Sequence, residues 1–444
     1  MKKIVLTLTA AMIFSWQGIS FASSSVDALI QKLEDKGILT DQDANQLKGE
    51  IASHEQDSQQ ATFKSMLPDW LNTMKLTGDM RLRYQYQRRD ADAARDWPRN
   101  RGRYRGRLQV EDQLNDKMKV IFGIATDGGS GRSNNVTFGG NSTSNDAFGK
   151  GYIVANKVYA IYTPTSFLTL KAGKMDNPIW EPTQVLWDPN ITPEGGDIEF
   201  QKKLSDYLTV FSTSGIFVLH DASPSSSLGQ DPYMMFTQNG IKGNLTEKAY
   251  YKLAMIYYNI HNPSNFQLTN SLGTNTIING YGLRYSFNDV IGGAADVGLN
   301  DPFGELLPSF VNIPQVGVMG QFTDNRAAPT TGKSWMIGGY MGNSAINGWG
   351  TWRLLSGYKV YQRDSWLDSL PDADFYSGMT DAAGYRTEFD LGLAKNVWMT
   401  VSFFDTHVYK KVSSIFTNST GSTSTALAQN NGESLLQADL NFRF

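Results

Sequence analysis

Leu435-Leu436-Gln437-Ala438-Asp439-Leu440-Asn441-Phe442-Arg443-Phe444 is the stretch that decides the fold of this chain. Even positions 436–444 are Leu, Ala, Leu, Phe and Phe, and the odd positions between them are Gln, Asp, Asn and Arg. Successive side chains of a β-strand point to opposite faces, so this segment has one apolar face and one polar face. Such alternation over about ten residues is typical of a transmembrane β-barrel strand. We therefore predict an all-β membrane fold: an antiparallel transmembrane β-barrel with a short N-terminal helical segment.

The composition agrees with a barrel and excludes several classes of function. Apolar residues make up 40% of 444 positions, below the roughly 45–50% of globular proteins, while aromatic residues reach 12%. A net charge of −3 gives no bias toward nucleic acid, so no nucleic-acid partner is expected. The chain has no cysteine, and its four histidines form no zinc-binding pair. We expect no metal, no cofactor and no enzyme activity.

The first residues have the pattern of an export signal. Lys2 and Lys3 precede an apolar segment over 4–19, and Ser20-Phe21-Ala22 presents small residues where signal peptidase reads them. A membrane anchor is disfavoured, because polar residues interrupt a run that is already short for spanning. We predict a signal peptide over 1–22.

Residues 23–62 have the pattern of two short helices. Apolar residues recur with the spacing of one helix face, first at Val26, Leu29, Ile30 and Leu33 and then at Ala44, Leu47 and Ile51. Two such helices cannot bury their apolar stripes alone, so they would pack on each other, on the barrel or on neighbouring subunits. Trimerisation, a plug and a periplasmic tether all stay open as roles for this segment. Residues 63–74 are predicted to link it to a barrel over 75–444.

From Lys75 onward the hydrophobic period is two. The predicted strands are 75–87, 101–111, 118–124, 151–163, 167–175, 196–203, 207–219, 232–243, 249–260, 277–287, 314–325, 334–342, 350–363, 382–394, 397–409 and 433–444. Short links alternate with long ones along most of the chain, as expected for periplasmic turns and external loops. The interval 288–313 breaks this alternation, and 291–299 could hide a further strand. We predict sixteen strands, with eighteen as the alternative.

A sixteen-stranded barrel is wide enough for an aqueous channel, whose selectivity depends on charged side chains. The parity of the strands directs a set of basic side chains inward: Arg81, Arg83, Arg103, Arg105, Arg107, Lys119, Lys157 and Lys171. The loop over 176–195 carries acids at Asp176, Glu181, Asp188 and Glu194. If this loop folds inward, it would place an acidic constriction opposite a basic wall. The alternatives are an ordinary external loop and charges that merely pair with one another.

Four segments carry a resemblance to a known family. Leu33-Glu-Asp-Lys-Gly-Ile-Leu-Thr40, Gly78-Asp-Met-Arg-Leu-Arg-Tyr84, Leu186-Trp-Asp-Pro-Asn-Ile-Thr-Pro-Glu-Gly195 and the terminal strand resemble the bacterial "putative porin" family. The resemblance implies an outer-membrane β-barrel channel and leaves the solute open. The chain departs from the family pattern at 288–313, because this interval is longer than the resemblance would lead us to expect. The terminal Phe444 is similar to the signal that barrel-assembly machinery reads.

Together these features predict a porin in the outer membrane of a Gram-negative bacterium. It would allow passive diffusion of small hydrophilic solutes through a water-filled lumen, with a mild preference for anions. Outer-membrane lipid would surround the barrel, and similarity to general porins implies a homotrimer. The alternative function is a non-conducting barrel that serves as a surface anchor or adhesin.

Overall fold

The computed structural model describes residues 73–89, 98–127, 131–140, 151–184, 186–221, 231–263, 272, 274–278, 282–306, 313–410, 416–417, 423–424 and 432–444. The predicted signal peptide over 1–22, the helical segment over 23–62 and all of the linker except residues 73 and 74 lie outside the described residues. Within the described residues, no helix is long and apolar enough to cross a membrane.

Sixteen long strands form one antiparallel sheet in the described part of the chain. Numbered in chain order, they are β1 (Lys75–Arg89), β2 (Arg99–Asn115), β3 (Met118–Asp127), β4 (Tyr152–Thr165), β5 (Leu168–Lys174), β6 (Glu194–Lys203), β7 (Thr209–Val218), β8 (Tyr233–Asn244), β9 (Ala249–His261), β10 (Phe287–Asn300), β11 (Gln315–Asn325), β12 (Lys333–Gly342), β13 (Trp352–Tyr361), β14 (Ala382–Ala394), β15 (Val397–Val408) and β16 (Glu433–Arg443). Short two-residue pieces lie at Val136–Thr137, Ile277–Ile278, Gly282–Leu283, Phe416–Thr417 and Thr423–Ser424.

The sheet closes into a barrel because the first strand pairs with both the second and the last. The register sets Arg83 of β1 opposite Arg103 of β2 on one side and opposite Asp439 of β16 on the other. The C-terminal Phe444 extends this ladder through backbone hydrogen bonds to Gly78 in both directions, at 2.8 and 3.0 Å. Closure leaves no unpaired edge in this sheet of sixteen long strands, as a barrel in lipid requires. The predicted barrel fold with sixteen strands is confirmed.

The outer face of the barrel is apolar, and the alternation along each strand produces it. On β1 the exposed apolar side chains are Leu76, Met80, Leu82 and Tyr84, while Arg83 and Gln85, on either side of Tyr84, are buried. The same pattern continues around the barrel, with exposed apolar residues that include Phe122, Val158, Ile216, Met255, Val318, Ile337, Phe403 and Leu436. Since directly paired residues share a face, inward and outward positions follow from the register on every strand.

The prediction of the tenth strand over 277–287 is wrong: β10 is Phe287–Asn300, the segment considered as a hidden strand. Its sequence, with Gly292-Gly293-Ala294-Ala295, lacks the bulky alternation that identifies a strand. Neighbouring strands supply the missing bulk, because side chains of Met255 and Phe322 cover Gly293 on the outer face. The strand count is nevertheless sixteen rather than eighteen within the described residues.

The links at the two ends of the barrel differ in length. Most links at one end, called the turn end, are short (116–117, 166–167, 204–208, 245–248, 343–351 and 395–396), but 301–314 is longer. The other end, called the loop end, carries 90–98, 128–151, 175–193, 219–232, 262–286, 362–381 and 409–432, together with the short link 326–332. Two of these links, 175–193 and 362–381, and the described part of a third, 131–140, contact inward-facing side chains and determine the character of the barrel interior.

Candidate functional site

Six arginines line the inner face of β1 and β2. Arg81 and Arg83 lie directly opposite Arg105 and Arg103, and Arg101 pairs across from the buried Gln85. Arg107 lies opposite Asp79 at the end of the row. Like charges directly opposite on a sheet repel each other, so this arrangement needs compensating anions. We call these six residues the arginine ladder.

Two carboxylates compensate the middle of the ladder. Asp439 of β16 accepts from Arg83 in bidentate geometry, at 2.7 Å from Nε and 2.8 Å from Nη2, and its Oδ2 lies 3.4 Å from Nη1 of Arg81. Asp374, from the loop over 362–381, accepts from Nη1 of Arg83 at 3.0 Å. Arg81 also donates to the side-chain oxygen of Asn135 at 2.7 Å. Bidentate bonds between charged groups are strong and directional, so Arg83 is firmly held.

Asp79 compensates the turn-end side of the ladder. It accepts from Nη2 of Arg105 and from Nε of Arg107, both at 2.7 Å. These three residues border a polar cavity of about 400 Å³ in the barrel wall, which Lys157 and Asp176 also line.

Arg101 and Arg103 are different, because no carboxylate of the described chain lies within 4.0 Å of either guanidinium. Arg101 donates to Oε1 of Gln87 at 2.7 Å, and Arg103 donates to Oε1 of Gln85 at 3.2 Å. The Nε atoms of both arginines are buried and have no hydrogen-bond acceptor among the residues that the structure describes. Within the described part of the chain, these two residues are therefore the members of the ladder whose guanidinium groups contact no carboxylate.

The predicted basic residues of β3–β5 are each paired with an acid. Lys119 contacts Glu111 at 2.9 Å, Lys157 contacts Asp176 at 2.6 Å, and Lys171 contacts Glu199 at 2.5 Å. Charge pairing, the alternative considered from the sequence, describes these three contacts.

The acids of the loop over 175–193 do not contact the arginine ladder. Asp176 contacts Lys157, and Glu194, the first residue of β6, contacts Lys174 at 2.8 Å. Glu181 accepts from Nε2 of Gln321 at 2.9 Å. Asp188 accepts from the backbone amides of Ala373 and Asn190 at 2.9 and 2.8 Å.

This loop crosses the barrel interior, from β5 to the far wall. The backbone of Trp180 exchanges two hydrogen bonds of 2.9 Å with the inward Gln238 of β8. At its other side, Gln184 accepts from Arg386 of β14 at 2.7 Å and from Lys359 of β13 at 3.3 Å. Polar side chains of the wall thus satisfy the loop backbone and hold it inside.

The centre of the loop packs on an apolar part of the inner wall. Leu186 and Trp187 are buried against Phe217, Tyr258 and Phe287 of β7, β9 and β10. Trp366, Leu367 and Leu370 from the loop over 362–381 complete this apolar cluster, and Trp366 is fully buried. Sequence analysis predicted a polar interior, and this part of the wall is apolar because two loops cover it.

The three inward segments are tied to one another. The amide of Asp188 donates to the carbonyl oxygen of Leu370 at 2.7 Å. Arg132 donates to the carbonyl oxygens of Asp368 and Gly378 at 3.1 and 3.2 Å, which joins 131–140 to 362–381. Together they form one assembly of loops at the loop end of the interior.

Burial and neighbouring charges shift the pKa of three carboxyl groups in these loops. Burial raises the pKa of Glu181 to about 7, although the hydrogen bond from Gln321 favours the charged form. Burial, together with the nearby Asp372, also raises the pKa of Asp188. Burial acts in the same direction on Asp374, but Arg83 outweighs it and lowers the pKa to about 2. Near neutral pH Asp374 is therefore ionised where it contacts Arg83, whereas the carboxyl group of Glu181 is partly protonated.

Sequence reasoning missed three residues of this site. Arg101 has the inward parity of its neighbours and could have been included on that ground. Asp439 lies on the polar face of the terminal strand, and closure of a barrel necessarily brings the last strand beside the first. Asp374 gave no signal, because its position depends on the path of an irregular loop. Among the described residues, no group of three or more His, Cys, Asp or Glu could hold a metal ion.

Comparison with solved structures finds porins of low sequence identity. A mutant of the Rhodopseudomonas blastica porin matches with 12% identity and a TM-score of 0.42, over 84% of this chain and 100% of that chain. A triple mutant of the same porin matches with 12% identity and a TM-score of 0.41, over the same shares. No curated protein matches the sequence.

A family model described as "Putative porin" matches residues 91–276 and 312–444, which is most of the chain. The match includes β2 and the terminal strand, both of which contribute to the charged wall described above. Family and barrel fold together indicate a channel of the Gram-negative outer membrane rather than an enzyme. The chain belongs to the "Putative porin" family.

Proposed function

We propose that this porin conducts small hydrophilic solutes by passive diffusion and mildly prefers anions. The observation that supports this most strongly is the pair Arg101 and Arg103, whose guanidinium charges have no carboxylate partner among the described residues. A row of fixed cations in a channel raises the local concentration of anions and lowers that of cations. The paired basic residues at 119, 157 and 171 contribute little to this preference, because each is neutralised by its neighbour.

The loop over 175–193 contributes to the function as a constriction. It crosses the lumen, but its acids are bound to Lys157, Gln321 and the other inward loops rather than facing the ladder. The lumen is therefore narrowed between the apolar loop on one side and the basic arginine ladder on the other.

The test is the reversal potential of the purified protein in a planar bilayer under a salt gradient. We expect stepwise conductance and a reversal potential on the anion side. Arg103→Glu should move the reversal potential toward cations without breaking an ion pair. Arg326→Glu is the matched control, since Arg326 is an exposed arginine paired with Asp289 outside the ladder.

The second candidate is a non-conducting barrel that anchors a surface structure. The three mutually bonded inward loops favour it, because they occupy much of the interior at the loop end. The same bilayer experiment decides between the two functions: folded protein that inserts and carries no current supports the anchor.

The localisation and assembly of the protein are part of the proposal. Export by the 1–22 signal peptide and recognition of Phe444 by barrel-assembly machinery would bring the chain to the outer membrane. The exposed ring of Phe444 supports the second step. A homotrimer is supported by polar side chains on the outer face of β7 and β8, where lipid would be a poor partner: Ser214 and Thr237 bond at 2.8 Å beside the exposed Asn239. Cross-linking in native membranes tests this assembly.

A further inference from the structure

Arg101 and Arg103 offer unused hydrogen-bond donors as well as unbalanced charge. Nη2 of Arg103 lies 3.4 Å from Oγ of Ser133 and 3.5 Å from the carbonyl oxygen of Asn135. Both distances are at the long limit for a hydrogen bond, so these neighbours bind the guanidinium weakly. Buried donors almost always have an acceptor in proteins, and the Nε atoms of both arginines have none in the described part of the chain.

The surroundings of this pair select for an anion. The neighbours in contact are the neutral groups of Gln85, Gln87, Ser133 and Asn135, none of which can balance the charge. Alternate residues of a strand face the same side at about 7 Å separation, so the two guanidiniums can reach one small group between them. The adjacent Arg83 is already occupied by Asp439 and Asp374.

The shape of the guanidinium narrows the class of anion further. Its planar fork of N–H donors matches two oxygens of a carboxylate or phosphate, whereas a halide can use it only as a point charge. We propose that Arg101 and Arg103 form a binding subsite for an oxyanion, the carboxylate or phosphate group of a solute entering from the loop end. This subsite rests on the proposed anion-preferring channel and adds the chemical class of its solute.

The subsite can be tested without any current. Binding of acetate and of inorganic phosphate to the folded, detergent-solubilised full-length protein is measured by isothermal titration calorimetry at low ionic strength. We expect saturable binding that weakens at least fivefold in Arg101→Gln and in Arg103→Gln. Arg326→Gln, which removes the same side chain outside the ladder, should bind like the wild-type protein. Retained heat modifiability on gels shows that each variant is folded.

A conservative variant distinguishes oxyanion binding by the guanidinium fork from the effect of its positive charge alone. Arg103→Lys keeps the positive charge but loses the fork, so oxyanion binding should weaken while the reversal potential in chloride stays as in the wild-type protein. Binding of acetate alone identifies a carboxylate subsite, binding of phosphate alone a phosphate subsite, and competition between them a shared one.

Two results would overturn the subsite: no saturable binding of either anion, or equal binding by the wild-type protein and both glutamine variants. Neither depends on conduction. A protein that binds oxyanions and carries no current would keep the subsite and refute the proposed channel, whereas anion-selective current without binding would do the reverse.

Discussion

Two parts of the inner wall differ in how their side chains are covered. One part is formed by β1, β2 and β16, and the other is formed by β7–β10. The first wall is charged, and individual carboxylates such as Asp439 and Asp79 hold its arginines in place. The second wall is apolar, and whole loops cover it with Leu186, Trp187 and Trp366. Charged side chains accept partial exposure to water, but an apolar surface of this size requires protein to exclude water.

This difference indicates that the two walls have separate roles in the barrel interior. The apolar wall positions the loops, since its burial is the main free-energy gain that keeps them inside. The charged wall retains two arginines that contact no carboxylate among the described residues, and we therefore propose it as the wall that acts on a solute. Variants in each wall should have distinct effects.

The largest effect is expected from Trp366→Ala in the apolar cluster. Trp366 is fully buried between Trp187 and Tyr258, with ring centroids at 5.8 and 4.6 Å. Truncation of a buried tryptophan costs about 3–5 kcal/mol, which should release the loops while the barrel stays intact. Hydrogen exchange of 175–193 and 362–381 should accelerate strongly, and unchanged exchange would show that the cluster does not hold the loops.

A smaller effect is expected from Asp439→Asn in the charged wall. This change leaves Arg83 with Asp374 as its remaining carboxylate contact and Arg81 with none among the described residues. Loss of a hydrogen bond to a charged group costs about 1.5–3 kcal/mol, and it should appear as a lower midpoint of urea unfolding. Exchange in the loop over 175–193 should change little. A large acceleration there would mean that the two walls are coupled.

The pH dependence of loop packing should be of similar or smaller size. Burial raises the pKa of Glu181 from 4.5 to about 7, so the packed loop retains a proton that the released loop has lost. The stabilisation is complete below about pH 4.5 and disappears as the pH rises through about 7, at a cost on the order of 3 kcal/mol. Hydrogen exchange of 175–193, corrected for its intrinsic pH dependence, should therefore be faster at pH 8 than at pH 5. Glu181→Gln should remove most of the difference, and a variant that keeps it would assign the effect to another group such as Asp188.

The smallest effect is expected outside both walls. Lys248 and Asp301 form an exposed ion pair at 3.0 Å near the turn end. Surface pairs of this kind contribute little to stability because water screens them. Lys248→Ala should leave the urea midpoint, loop exchange and reversal potential unchanged, which makes it the baseline for the other variants. A clear shift in any of these three quantities would show that surface charges outside the barrel interior also affect stability or conduction.

Local periodicity determined most of the fold, since fifteen of the sixteen strands lie at or close to their predicted positions. It failed at β10, where Gly292 to Ala295 carry no bulk of their own. There the neighbouring strands supply the side chains that cover β10, and the residue pattern within a single strand does not contain that information. The inward parity of the arginines was equally local, because it depends only on the alternation of a strand.

The sequence by itself therefore determined a closed barrel with an apolar exterior and a row of arginines facing inward. Only the tertiary structure decided which of those arginines are balanced. Asp374 reaches Arg83 from a loop almost 300 residues away, at a sequence separation of 291, whereas Arg101 and Arg103 contact no carboxylate in the described part of the chain. The physical reason is that alternation is a property of adjacent residues, whereas charge balance depends on which distant groups the closed barrel and its inward loops bring within a few ångströms.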